Sequence, residues 1–178
     1  ADPAAGCQER CNPAARRIPR SSCGVRLVVR SFRAKLADSK DLPRVEAIPG
    51  KMNTRWGTGT LVIPAPIEVD GVMRRVPKGK LVTVDGIRAV LARIHGATIA
   101  CPLTTGIFAM IAARAAAEDE ADGKKRVTPY WRTLKARGEV NPKFPGGTDD
   151  QRPRLEPEGH TVVARGKRLF VRDYERKL

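Results

Sequence analysis

Aromatic side chains are scarce in this chain, at 4% of residues, which argues against base-by-base stacking along a single strand as its main way of holding nucleic acid. Cysteine is rare too. The four are Cys7, Cys11, Cys23 and Cys101, and none forms the C-x-x-C pair typical of zinc sites, so no metal and no cofactor is expected. Nothing points to an oxidising compartment, and all four read as free thiols. No hydrophobic run approaches the roughly 20 residues of a membrane-spanning helix, and no apolar stretch near the N-terminus has the form of a signal peptide. No membrane association is expected, and an intracellular, cytoplasmic location is the default. Acidic groups are the last shortage. Against 34 Lys plus Arg there are 19 Asp plus Glu, for a net charge of +15 and a pI near 10.4. That excess favours a polyanion as partner; a basic surface that only aids solubility is the alternative.

The length, 178 residues and 19.4 kDa, suits one domain plus a loose tail. Residues 1–24 show no hydrophobic periodicity and several turn formers, and are expected not to fold. Residues 25–66 form an N-terminal segment in which 25–29 read as an extra strand and 31–37 as a short helix, with apolar residues at 59–63. Val69, Val72, Met73 and Val76 then recur at helical spacing, residues 77–80 turn, and the β-branched run 81–84 reads as a strand. Asp85 is the expected N-cap of a helix that buries Ile87, Val90, Leu91 and Ile94 and stops at Gly96. A second helix, starting near 102–105, is expected to bury Ile107, Phe108, Met110 and Ile111. Together these two make a helix-turn-helix. Residues 117–126, acidic and then basic, read as an exposed helix end and loop. Residues 161–165 and 168–172 flank Gly166-Lys167 as a C-terminal β-hairpin within 161–178.

Several short motifs fall in a telling order. Val76-Pro77-Lys78-Gly79-Lys80-Leu81-Val82-Thr83 precedes the helix pair; Thr128-Pro129-Tyr130-Trp131-Arg132 follows it; then come Gly138 and Val140, the glycine pair Gly146-Gly147, and Glu158-Gly159-His160. Over residues 67–160, about half the chain, this order resembles the DNA-binding and active-site domain of the O6-alkylguanine-DNA alkyltransferases (methylated-DNA-protein-cysteine methyltransferases). The resemblance implies a mostly α fold with small β elements, a winged helix-turn-helix that binds double-stranded DNA. In that family a Pro-Cys-His-Arg motif carries an alkyl-accepting cysteine and a histidine that deprotonates it. Here Pro129 and Arg132 match the ends of the motif, Glu158 matches the glutamate that orients the histidine, and Tyr130 and Trp131 stand in the reactive places.

A soft, easily deprotonated nucleophile beside a base is what methyl transfer needs. A phenol of pKa about 10 and an indole that only donates an N–H supply neither, so no catalytic residue is expected. What the resemblance leaves is a lesion pocket of Tyr130, Trp131, Phe144, Gly146 and Gly147, able to stack on and hydrogen-bond a flipped base. This is similar to the alkyltransferase-like proteins, which have Trp for the cysteine and mark lesions for excision repair. The alternative is that these rings plug a redundant pocket and support the core.

By the same resemblance Thr83, Thr104, Thr105, Gly106, Ala109 and Arg132 would meet DNA in the minor groove. Two departures stand out: Thr104 occupies the place of an arginine finger, and Val84 that of a phosphate-rotating tyrosine. The connection from Met110 to Pro129 is longer than the family's, and Pro153 and Pro157 interrupt a segment that relatives keep helical. Arg74, Arg75, Lys78, Lys80, Arg132, Lys135, Arg137 and Lys143 are candidates for phosphate contacts. Cys101, just before a helix, is a possible alternative acceptor with His95 as its partner, although a buried cysteine and a helix-end histidine are the commoner explanations. Three functions therefore stay open: a non-enzymatic monomeric sensor of alkylated guanine that calls excision-repair proteins, an alkyltransferase acting through Cys101, and a general winged-helix DNA binder.

Overall fold

In a computed structural model of the chain, residues 30–178 are described. The expected unfolded segment 1–24 and strand 25–29 lie outside the described residues. The fold is mostly α with three small sheets, as the sequence predicts.

Ser31 caps helix α1 (Phe32–Ala37), its hydroxyl accepting from the Ala34 N–H. Strand β1 (Arg44–Ala47) leads through a one-turn helix α2 (Asn53–Trp56) to β2 (Thr60–Ile63). β1 and β2 are antiparallel, and β2 pairs in parallel with β4 (Ile99–Ala100). Helix α3 (Pro66–Arg74) opens with proline at its first position, where no backbone donor is needed, and the Glu68 carboxylate reaches back to accept from the Ala65 N–H at 2.8 Å.

Strand β3 is limited to Val82–Thr83, shorter than the expected 81–84, because helix α4 (Val84–Ile94) already begins at Val84. Its cap is Thr83, not Asp85. The Thr83 backbone is extended and its hydroxyl accepts from the Gly86 N–H at 3.0 Å, while Asp85 lies within the first turn and pairs with Arg88. α4 stops at Gly96 as expected. With φ at +58°, that glycine lets the Ala97 N–H reach back to the Ala92 carbonyl at 2.9 Å. Ile87 and Leu91 are buried, whereas Ile94 is 56% exposed.

The 20-residue helix α5 (Pro102–Ala121) packs on α1, α3 and α4. Its buried stripe is Thr105, Ala109, Ala112, Ala113 and Ala116, and not the expected Ile107, Phe108, Met110 and Ile111. Small side chains let neighbouring helix axes approach closely, so the alanine face turns inward and the bulky residues are left half-buried or exposed. The acidic stretch closes the helix at Ala121 and a loop follows, as expected, but the helix end is tied down and not free: Glu118 accepts from the Phe32 and Arg33 N–H groups, and Glu120 pairs with Arg154.

After α5 come a 3-10 turn at Tyr130–Arg132 and β5 (Thr133–Leu134), parallel to β3. Helix α6 (Gly147–Leu155) runs through Pro153 and yields to a 3-10 turn at Glu156–Glu158. The expected hairpin is β6 (Val162–Arg165) against β7 (Arg168–Val171), with Gly166 at φ +61°. Among the described residues there are two buried clusters. One gathers Val62, Val69, Met73, Ile87, Leu91, the α5 alanines, Tyr130 and Phe144; the other gathers Leu81, Leu134, Val140, Leu155, Val162 and Val171. Trp131 packs against both.

Candidate nucleic-acid interface

The Tyr130–Arg132 turn is held from both sides. Ahead of it, the Thr128 hydroxyl donates to the buried carboxylate of Asp70 on α3. Behind it, Glu158 accepts from Arg132 Nε and Nη2, each at 2.8 Å, and from Trp131 Nε1 at 3.0 Å, while Arg132 Nη1 donates to the Val76 carbonyl at 2.7 Å. Burial works against a charged Glu158, but the hydrogen bonds from Arg132, Trp131 and the Gly79 N–H outweigh it and hold the carboxyl below its usual range. Glu158 thus has partners although Trp131 stands where the resembling motif has a histidine.

Tyr130 is 1% exposed. Its ring meets Trp131 edge-on at 5.5 Å and Phe144 edge-on at 6.0 Å, and its hydroxyl donates to Asp150 Oδ2 at 3.2 Å. The Arg154 guanidinium covers both rings, 5.4 Å from the Tyr130 centroid and 4.9 Å from that of Trp131. The phenol is pushed up to about 12, chiefly by burial, with Arg154 opposing and Glu120 and Asp150 adding to the shift. It stays protonated at neutral pH and offers no nucleophile.

These contacts correct the expected pocket. Tyr130 packs between Trp131 and Phe144 in the core and presents no ring face to a ligand. Gly146 and Phe144 border a cleft with Phe32, Met110 and Arg114, whereas Trp131 borders a different one with Arg74, Lys125 and Arg126. Gly147 begins α6, and its carbonyl accepts from the buried Gln151 amide at 2.6 Å.

The expected DNA-contacting residues also separate. Thr83 is spent as a helix cap; Thr105 and Ala109 are buried, with the Thr105 hydroxyl donating to the Cys101 carbonyl at 2.8 Å; Arg132 is committed to Glu158. Thr105 and Ala109 are closed off from solvent, whereas Arg132 also lines the cleft that Trp131 borders. Gly106 faces open space, and Thr104 is partly accessible. Among the cations expected to meet phosphate, Arg74 pairs with Asp70 and Lys135 with Glu139, and Lys80 donates to the Leu178 carbonyl. Arg75, Lys78, Arg137 and Lys143 have no ion-pair partner among the described residues. The Cys101 thiol is half-buried. His95 turns away from it, bonding Glu68 at 2.9 Å.

An open groove lies elsewhere. It measures about 510 Å³ and runs between the start of α4 and one face of α5 on one side and residues 135–143 on the other. Leu103, Gly106, Ile107 and Met110 form its apolar wall with Val84, and its polar groups are Lys135, Asn141, Lys143 and the opposing carboxylate of Asp85, which Arg88 pairs. Leu103 is 70% and Ile107 42% exposed. Leu103 and Asn141 were missed by sequence reasoning. The spacing 103, 106, 107, 110 does mark one helix face, but with alanines on the opposite face the sequence does not say which side is inside.

No protein-family model matches the chain. No curated protein matches it either. In structure it is similar to S. pombe Atl1 in complex with damaged DNA containing O6-carboxymethylguanine, at a TM-score of 0.42, and to S. pombe ATL in complex with DNA, at a TM-score of 0.46. Each is 18% identical, over 64% of this chain and 92% of the other.

Proposed function

We propose that this chain is a non-enzymatic, alkyltransferase-like DNA-binding protein that recognises alkylated guanine and signals its repair. In this reading α4 and α5 are the helix-turn-helix and the β6–β7 hairpin is the wing. Support comes from the motif order of the sequence, the +15 charge, and above all the groove along α5. That groove combines an apolar wall for a base and its alkyl group with lysines for the flanking phosphates. Gly106 gives a strand close access to the helix backbone, since nothing lies within 4 Å of where its Cβ would be. The base-receiving surface is this groove and not the closed ring cluster around Tyr130.

Alkyl transfer is disfavoured on chemical grounds. Tyr130 is buried and protonated, and the histidine that would have activated Cys101 is engaged by Glu68. A second reading, general DNA binding without lesion recognition, is favoured by one observation: Tyr130 fills the space that the motif would keep open.

Binding to matched duplexes with and without O6-methylguanine decides between the two. A preference for the modified duplex that disappears in Gly106→Phe carries the lesion reading. Replacing a helix-interior glycine raises helix propensity by up to about 1 kcal/mol, so a loss of preference would not reflect unfolding. Equal affinity for both duplexes leaves the general binder. A mass increase after incubation with alkylated DNA would restore the transferase reading.

A further inference from the structure

At the foot of the C-terminal hairpin, a cavity of about 340 Å³ is bounded by Gly159, His160, Thr161, Arg172, Asp173, Arg176 and Lys177. His160 is 4% exposed, and neither of its ring nitrogens has a hydrogen-bond partner among the described residues. A buried imidazole without partners is costly. Facing the same cavity are Arg172, Arg176 and Lys177, none of which has an ion-pair partner among the described residues, with Asp173 the one carboxylate in its lining. The walls are fixed, because the Leu81 N–H donates to the Lys177 carbonyl at 2.9 Å and the Arg172 N–H to that of Thr161 at 2.9 Å.

We propose that this cavity is an anion site that takes one phosphate group, gripped by Arg172, Arg176 and Lys177 beside the buried His160 ring. Guanidinium groups match phosphate oxygens in a forked geometry, and such charge-assisted bonds are about twice as strong as neutral ones. The ring nitrogens of His160 are closed off from the cavity, so the imidazole meets the phosphate through its charge and not through a hydrogen bond. The site shares no lining residue with the α5 groove and does not depend on it.

Burial holds His160 below its ordinary value; Glu158 opposes this, and Lys177 and Arg132 reinforce it. An anion beside the ring offsets those cations together with Arg172 and Arg176, so the midpoint of His160 rises when the site fills.

The chain has two histidines, His95 and His160, and their ring resonances make the test direct. Inorganic phosphate added to the full chain should shift the His160 signals saturably and leave His95 unmoved, with chloride of matched ionic strength as control. In Arg172→Gln/Arg176→Gln, at two exposed positions, phosphate binding should weaken about tenfold or more. A short duplex that moves His160 and competes with phosphate identifies the natural source as a DNA backbone. If phosphate saturates the site while the duplex leaves His160 unmoved, the source is free phosphate or a phosphomonoester. No saturable shift from either probe, the same shift from chloride, or undiminished binding by the double variant overturns the proposal.

Discussion

The ring cluster around Tyr130 and the groove along α5 are built from opposite materials. At the first, every polar group of the motif is answered internally: Tyr130 by Asp150, Trp131 and Arg132 by Glu158, and both aromatic faces by Arg154. At the second, large apolar side chains and Lys143 are left facing water, while Lys135 pairs with Glu139. The Tyr130–Arg132 turn is thus a structural joint between the two hydrophobic clusters, while the apolar and cationic side chains left open lie on and beside the neighbouring helix α5.

Substitutions can break this contrast, and the cluster should give the larger effects. Tyr130→Ala removes a buried ring from the centre of three packed elements and should cost about 4 kcal/mol of unfolding free energy by denaturant titration; a cost below about 1 kcal/mol would mean that the cluster is not a joint. Glu158→Ala strands Arg132 without its partner and should destabilise by about 3 kcal/mol, with Glu158→Gln recovering part of that through retained hydrogen bonds. By contrast, Lys143→Gln, at an exposed position that breaks no ion pair among the described residues, should leave stability within about 0.5 kcal/mol of the parent, yet lower the slope of log affinity for DNA against log salt by about 1. An unchanged slope would move the phosphate contacts away from the groove.

The smallest effect sharpens the comparison through pH. His160 has a lowered folded-state pKa, so the unfolded chain takes up its proton first. Its contribution is complete above the ordinary histidine range and is lost as pH falls through that range toward the depressed folded value. Glu158 adds a separate loss at lower pH: its folded pKa also lies below the unfolded one, so its contribution is present above the usual carboxylate range and fades as acid protonates it. Acid titration of stability should therefore show two steps, with His160→Gln removing the upper one.

Local signals in the sequence were legible where a single segment decides the outcome. The stop of α4 at Gly96 and the hairpin turn at Gly166 follow from glycine backbones, and both are present. The inward face of α5 was not legible. Large apolar residues and alanines compete for the interior there, and the close approach of α1 and α3 decides for alanine. At the candidate site, the nearness of Glu158 to Trp131, which stands in the histidine's place, followed the motif order, but the Glu158–Arg132 pair and the closure of the ring cluster did not. That closure depends on Phe144, Asp150 and Arg154, whose meeting with Tyr130 is a product of tertiary packing.

Trp131 lies where the two hydrophobic clusters touch and packs against each. Neither half can melt without exposing one flank of the indole, which makes the two halves a single cooperative unit. Its fluorescence, read against Trp56 replaced by Phe, becomes a built-in gauge of that coupling: one transition in the emission of Trp131 should coincide with the loss of helix.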